Sequence, residues 1–137
     1  EIINDFMCRK EDTFSEKIAQ NIPAKEILNE VLEKYKAEML DGQASLSLAI
    51  YEYFSIADAS ETENELYTQY LASFKAWKNL LDYGIQTGEF NPVDIRPVFD
   101  LIIFSYQGVR MYSKLMPINE EITQGIIEQI RKIIVKE

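Results

Sequence analysis

The side chains of this chain that could carry chemistry are carboxylates, tyrosines and a single thiol. Histidine is absent from all 137 residues. Its absence removes Ser-His-Asp and Cys-His nucleophiles, the Glu-x-x-His sites of di-iron bundles and the usual zinc ligand sets. No GxGxxG or GxxxxGK[ST] phosphate loop occurs, and the five glycines are scattered. Glu61, Glu63 and Glu65 place three acids close together, but the stretch is rich in helix-capping residues, and a solvated helix start accounts for it. Cys8 is the sole cysteine, so no disulfide supports the fold. Neither catalysis nor a metal or cofactor is expected.

What remains is aromatic and apolar recognition. Tyr51, Tyr53, Phe54, Tyr70, Phe74, Trp77, Phe104, Tyr106 and Tyr112 give a small chain a large aromatic content. Taken singly, each is accounted for as a core filler. Taken together, some could line a cavity between helices, where bundles commonly hold ligands. Ser73, Ser105 and Gln107 interrupt apolar helices and could orient a ligand there. The candidate ligand-binding residues are Tyr51, Phe54, Tyr70, Phe74, Trp77, Phe104, Gln107 and Met111. The ligand expected is small and hydrophobic. Net acidity beside Trp and Tyr would suit a lipophilic cation, although the sequence names no buried carboxylate.

The elements that must position these residues are helices. Thr13 with Glu16 forms a capping-box pattern before Phe14 and Ile18. Pro23 can open a second helix, along which Ile27, Leu28, Val31, Leu32, Tyr35 and Met39 recur at three- and four-residue steps until Gly42. A third segment carries Leu46, Ala49, Ile50, Tyr53, Phe54 and Ala57. Ser60 with Glu63 starts a fourth, about 24 residues long, with Leu66, Tyr70, Phe74, Trp77, Leu81 and Gly84 on one stripe.

The fourth helix ends in LLDYGIQTGEFNPVDIRP, residues 80–97, which holds two of the five glycines and two of the four prolines. Gly88 is placed as a left-handed C′ glycine, Phe90 as a buried wedge and Asp94 as the N-cap of the next helix. In that fifth helix, from about Ile95 to Leu115, the polar residues Arg96, Asp100, Gln107, Arg110 and Lys114 fill one narrow arc and apolar side chains cover the rest. A helix apolar over more than half its circumference needs two partners. Pro117 and Asn119 break and recap the chain. The last helix, Glu120 to Lys136, carries Ile122, Ile126, Ile127, Ile130, Ile133 and Ile134 at helical spacing. It begins with acids and ends with bases, as the helix dipole favours.

The expected architecture is all-α, one domain over residues 1–137, a bundle of about six helices. Two arrangements satisfy the fifth helix: it is central and wrapped by its own chain, or the last two helices of two protomers meet as a four-helix bundle. The dimer is favoured because 137 residues leave little material to cover both faces. Its expected interface residues are Phe99, Ile102, Tyr106, Val109, Ile126, Ile130 and Ile133. Net charge is −9, with fifteen acids against six bases in residues 1–65 and eight against eight thereafter. Neither half offers the basic stripe on which nucleic-acid affinity rests. No apolar run is long enough to span a membrane, and no signal peptide opens the chain, so a cytoplasmic location is expected.

This layout resembles the C-terminal effector-binding and dimerisation domain of TetR-family transcriptional regulators. The most specific piece is an apolar helix end followed by Gly-x-x-x-Gly-Glu-Phe and Pro-x-Asp: Gly84, Gly88, Glu89, Phe90, Pro92 and Asp94. The resemblance implies a homodimeric repressor domain whose small hydrophobic effector enters among the middle helices. The effector would shift the angle between DNA-binding heads. No helix-turn-helix precedes Glu1, so contact with DNA is expected through an N-terminal head absent from this chain. A helical adaptor that docks a partner helix, with no small-molecule ligand, is the alternative from another class.

Overall fold

The computed structural model describes residues 14–40, 59–113 and 115–137, with the backbone alone over 59–66. Five α-helices occupy them: α1 (Phe14–Ala19), α2 (Ala24–Leu40), α3 (Ala59–Thr87), α4 (Ile95–Tyr112) and α5 (Glu120–Ile134). The all-α class is correct. The expected helix from Leu46 to Ala57 lies outside the described residues, as do Cys8, Thr13, Gly42, Tyr51, Tyr53, Phe54 and Lys114.

The best-surrounded helix is α2, which packs against α1, α3, α4 and α5. Its stripe of Ile27, Leu28, Val31, Leu32, Tyr35 and Met39 is wholly buried. The spacing of those residues gives a broad inward face, which is why four neighbours can share it. Polar ties fix its outer edge to α5. Lys36 Nζ donates to Gln124 Oε1 at 2.7 Å and pairs with Glu120 at 3.4 Å. Arg131 reaches Asn29 at 2.9 Å and Glu33 at 3.4 Å.

At 29 residues α3 is longer than its sequence stripe predicts. Gly84 does not end it. The helix runs to Thr87 and closes on Gly88, whose φ is +83°. Two backbone bonds make the close a Schellman motif: Glu89 N to Gly84 O at 3.0 Å and Gly88 N to Ile85 O at 3.2 Å. Gly84 has another role: a Cβ there would fall inside the ring of Phe90. Phe90 is 1% exposed, so the expected wedge is present, seated directly on the helix it terminates.

Beyond the wedge the backbone pairs rather than wanders. Phe90 forms an isolated antiparallel bridge with Val135. Asn91 N donates to Ile134 O at 2.8 Å, and Lys136 N to Glu89 O at 3.0 Å. This pairing pulls Val135 into an extended conformation, so α5 ends at Ile134, short of the Lys136 that periodicity alone implies. Asp94 occupies the N-cap of α4 with extended backbone, although its side chain makes no capping bond. Asn119 does cap α5, accepting from Ile122 N at 3.0 Å. The helix α4 stops at Tyr112, three residues before Leu115, where Leu115 N and Met116 N both turn back to Tyr112 O.

Candidate functional site

Two side-chain clusters and one open face hold most of the residues that sequence pattern singles out. The inner cluster centres on Trp77, which has no exposure. Phe14 of α1 meets its ring edge-on at 5.5 Å between centroids. Its indole Nε1 donates to Tyr35 OH at 3.3 Å. Tyr35 stacks on Tyr106 at 4.1 Å, and the Tyr106 hydroxyl donates to Glu38 Oε1 while accepting from Arg110 Nη1 at 2.8 Å. One connected network therefore joins α1, α2, α3 and α4 through aromatic rings and takes in a buried guanidinium.

Arg110 belongs to the polar arc of α4, yet it is 1% exposed. That arc is not uniformly a solvent face. A buried Arg requires charge-matched or hydrogen-bonded company, and here Tyr106, one turn earlier, supplies both a hydrogen bond and a ring 5.1 Å from the guanidinium carbon. Tyr35, Glu38 and Arg110 are the functional candidates that sequence reasoning missed. The available signal was an Arg four residues after a Tyr on a mostly apolar helix.

The outer cluster lies between α3 and α4. Tyr70 contacts Phe99 and Phe104 at 5.5 and 6.2 Å, and Phe74 contacts Phe99 at 5.4 Å. Arg96 lies over both Tyr70 and Phe74, at 5.1 and 4.6 Å from their centroids. The Tyr70 hydroxyl donates to Asp100 Oδ1 and accepts from Arg96 Nε at 2.9 Å. The bond to Asp100, then burial, hold the phenol above its ordinary value, against the opposing pull of Arg96.

The structure thus separates the candidate ligand residues. Trp77 belongs to the inner cluster, and Tyr70, Phe74 and Phe104 to the outer one, with Phe104 63% exposed. Gln107 and Met111 are half-buried on α4, while Tyr51 and Phe54 lie outside the described residues. Among the described residues, no group of acids or cysteines is placed to hold a metal ion.

The open face lies along α4 and α5. A shallow, mostly apolar groove between them is lined by Leu101, Ser105, Ile122, Gly125, Ile126, Gln129 and the buried Ile130, with Glu121 its charged residue. Here the residues expected at a dimer seam need correction. Phe99, Ile102, Tyr106 and Ile130 are buried within the protomer. Both helices carry two apolar faces, and residues one or two positions away point outward instead. On α4 the inward set is Phe99, Ile102, Tyr106 and Arg110, leaving Leu101 47% and Phe104 63% exposed. On α5 the inward set is Thr123, Ile127, Ile130 and Ile134, leaving Ile122 and Ile133 exposed and Ile126 half-buried. Val109 is half-buried and packs at the edge of the core.

A helical core with a two-faced penultimate helix and a Gly-Glu-Phe wedge is matched by a known sequence family. The family described as tetracyclin repressor-like, C-terminal domain, matches residues 27–124, more than two thirds of the chain. The chain belongs to this family. Comparison with curated proteins and with solved structures gives no significant match. Within the TetR-like domain, the match runs from the buried stripe of α2 to the first turn of α5, so it takes in the outer cluster, the inner cluster apart from Phe14, and part of the groove. No described helix is long and apolar enough to cross a membrane.

Proposed function

We propose that this TetR-like domain is the effector-binding and dimerisation domain of a transcriptional repressor. A small hydrophobic effector binds among the middle helices, and the α4–α5 faces of two protomers meet as a four-helix bundle. DNA contact belongs to an N-terminal head, and the protein works in the cytoplasm without enzymatic activity or cofactor. The observation that carries this reading is the uncovered apolar groove of α4 and α5 on a member of the TetR C-terminal family. Exposed Leu101, Phe104 and Ile122 on adjoining helices favour an interface over a solvated surface. The effector reading is supported by the family and by the aromatic side chains of the inner cluster, which gather with a few hydrogen-bonded polar groups among α2, α3 and α4.

In physical terms the effector must bind one dimer geometry better than another, since equal affinity for both shifts nothing. Trp77 is the sole tryptophan and touches α1 and α2 directly, so its emission reports binding beside it. Titration with a panel of hydrophobic compounds, including lipophilic cations, is expected to change Trp77 emission for at least one class. A flat response to all of them would overturn the effector reading. A monomeric solution mass would overturn the dimer and favour a helical adaptor.

A further inference from the structure

The α1–α2 corner is held by groups more than sixty residues further along the sequence, at the end of α3. Both carboxylate oxygens of Glu89 cap the start of α2: Oε2 accepts from Ala24 N at 3.0 Å and Oε1 from Lys25 N at 3.1 Å. The two amides lie 65 and 64 residues away in sequence. Thr87 Oγ1 donates to Oε2 at 2.8 Å and fixes the rotamer of the carboxylate. One turn back along α3, the Tyr83 hydroxyl donates to Ile22 O at 2.7 Å in the same corner. Asn21 has a φ of +61° there, a conformation that needs its surroundings to hold it.

Glu89 is also fixed from behind. Its carbonyl accepts from Lys136 N at 3.0 Å. Two residues on, Asn91 donates its side-chain amide to Ile133 O at 3.1 Å and Val135 O at 3.3 Å. The preceding helix end is locked by Phe90 against Gly84. A single residue thus connects the α1–α2 corner, the α3–α4 joint and the end of α5. Helix starts are ordinarily capped by a residue of the same helix or by water. A distant side chain in that position makes the cap depend on tertiary geometry.

We infer that Glu89 is a latch that couples the position of the α1–α2 corner to the α3–α4 joint and to the end of α5. The signalling sense of the latch rests on the proposed function: if effector binding moves α3 against α4, α1 is displaced through Glu89. The coupling itself needs no effector. Glu89 acts as a positioning residue, through the backbone amides of Ala24 and Lys25.

Amide hydrogen exchange on the whole chain tests it. In Glu89→Gln, the Ala24 and Lys25 amides are expected to exchange faster by about tenfold or more, with the Asn91 and Lys136 amides still protected. The relay is tested by Asn91→Ala, which alters no group at the corner: it is expected to speed exchange at Ala24 and Lys25 as well. Unchanged exchange at those two amides in Glu89→Gln would overturn the cap. A response to Asn91→Ala confined to the Phe90–Val135 bridge would overturn the relay. Thr87→Val, which leaves the carboxylate in place but loosens it, gives the same reading in weaker form if Glu89→Gln fails to fold. Because these amides are read without effector, a failed effector search would leave the latch standing, and unaltered exchange would leave effector binding standing.

Discussion

Single residues at the end of α3 make opposite demands on space and conformation. Gly84 lacks room, because any Cβ meets the Phe90 ring, whereas Gly88 has open space and a left-handed φ of +83°. Gly84→Ala is expected to destabilise by about 1–3 kcal/mol through overpacking, and a smaller side chain at Phe90 should recover part of that loss. Gly88→Ala is expected to lose about 1–2 kcal/mol through backbone strain alone, with no recovery from the same second change. Urea denaturation of the four variants separates the two causes. Glu89 adds a pH dependence. Burial raises its pKa, but the amides of Lys25 and Ala24, the Thr87 hydroxyl and the charge of Lys25 outweigh it, so the carboxyl lies below its ordinary 4.5. A lowered folded-state value means that its contribution is complete above the unfolded value and lost as pH falls through the folded one. The stability advantage of the native protein over Glu89→Gln is therefore expected to be constant near neutrality and to shrink below about pH 4.5. An advantage that grows on acidification would refute the assignment.

At the scale of elements, helix identity and punctuation were legible, while the direction each helix faces was not. Gly88 and Asn119 act locally, through a glycine conformation and a side-chain cap, Phe90 is seated on Gly84 six residues away, and Asp94 marks the α4 start by its extended backbone. Their positions follow from sequence almost to the residue. The ends of α4 and α5 differ by two or three residues because one is set by a tight turn and the other by pairing with Phe90, a contact between distant segments. Facing is harder to read because α4 has apolar side chains on both sides. Periodicity finds Phe99 and Leu101 equally, and only the packing of α3, through Tyr70 and Phe74, sends the first inward. Arg110 follows the same logic: a charge on an apolar helix reads as exposed until α2 supplies Tyr35 and Glu38 around Tyr106. That cluster ties α2 to α4, and Tyr106→Phe removes the hydroxyl that both Glu38 and Arg110 use. The expected loss is about 1–3 kcal/mol, the range for a buried hydrogen-bonding group left without its partner. A double-mutant cycle with Glu38→Gln should give a non-additive result if the network is one unit. Additive losses would mean that the two residues act separately.

For the whole molecule, the proposed dimer turns on which side of α4 and α5 would meet a second copy. The buried side cannot, so a charge introduced at Ile130 tests the fold, while a charge at Ile122 or Leu101 tests assembly. In a two-fold interface each substitution is made twice. Fully burying an aliphatic side chain of this size is worth about 1.5–3 kcal/mol, and Ile122 and Leu101 are already more than half covered in the protomer, so losing two copies removes roughly 1–3 kcal/mol before the added charge is counted. That corresponds to roughly fivefold to a hundredfold in dimer dissociation constant. Ile122→Asp and Leu101→Asp are each expected to shift the protein towards monomer at micromolar concentration. Their helical content should be retained, because neither side chain enters the core. Ile130→Asp, by contrast, is expected to lose helical structure along with any dimer. Light scattering alongside circular dichroism reads both properties on the same samples. If Leu101→Asp and Ile122→Asp remain dimeric with native helical content, the groove is not the seam. The association would then have to use another exposed apolar surface, such as the α3 face around Tyr67 and Leu71.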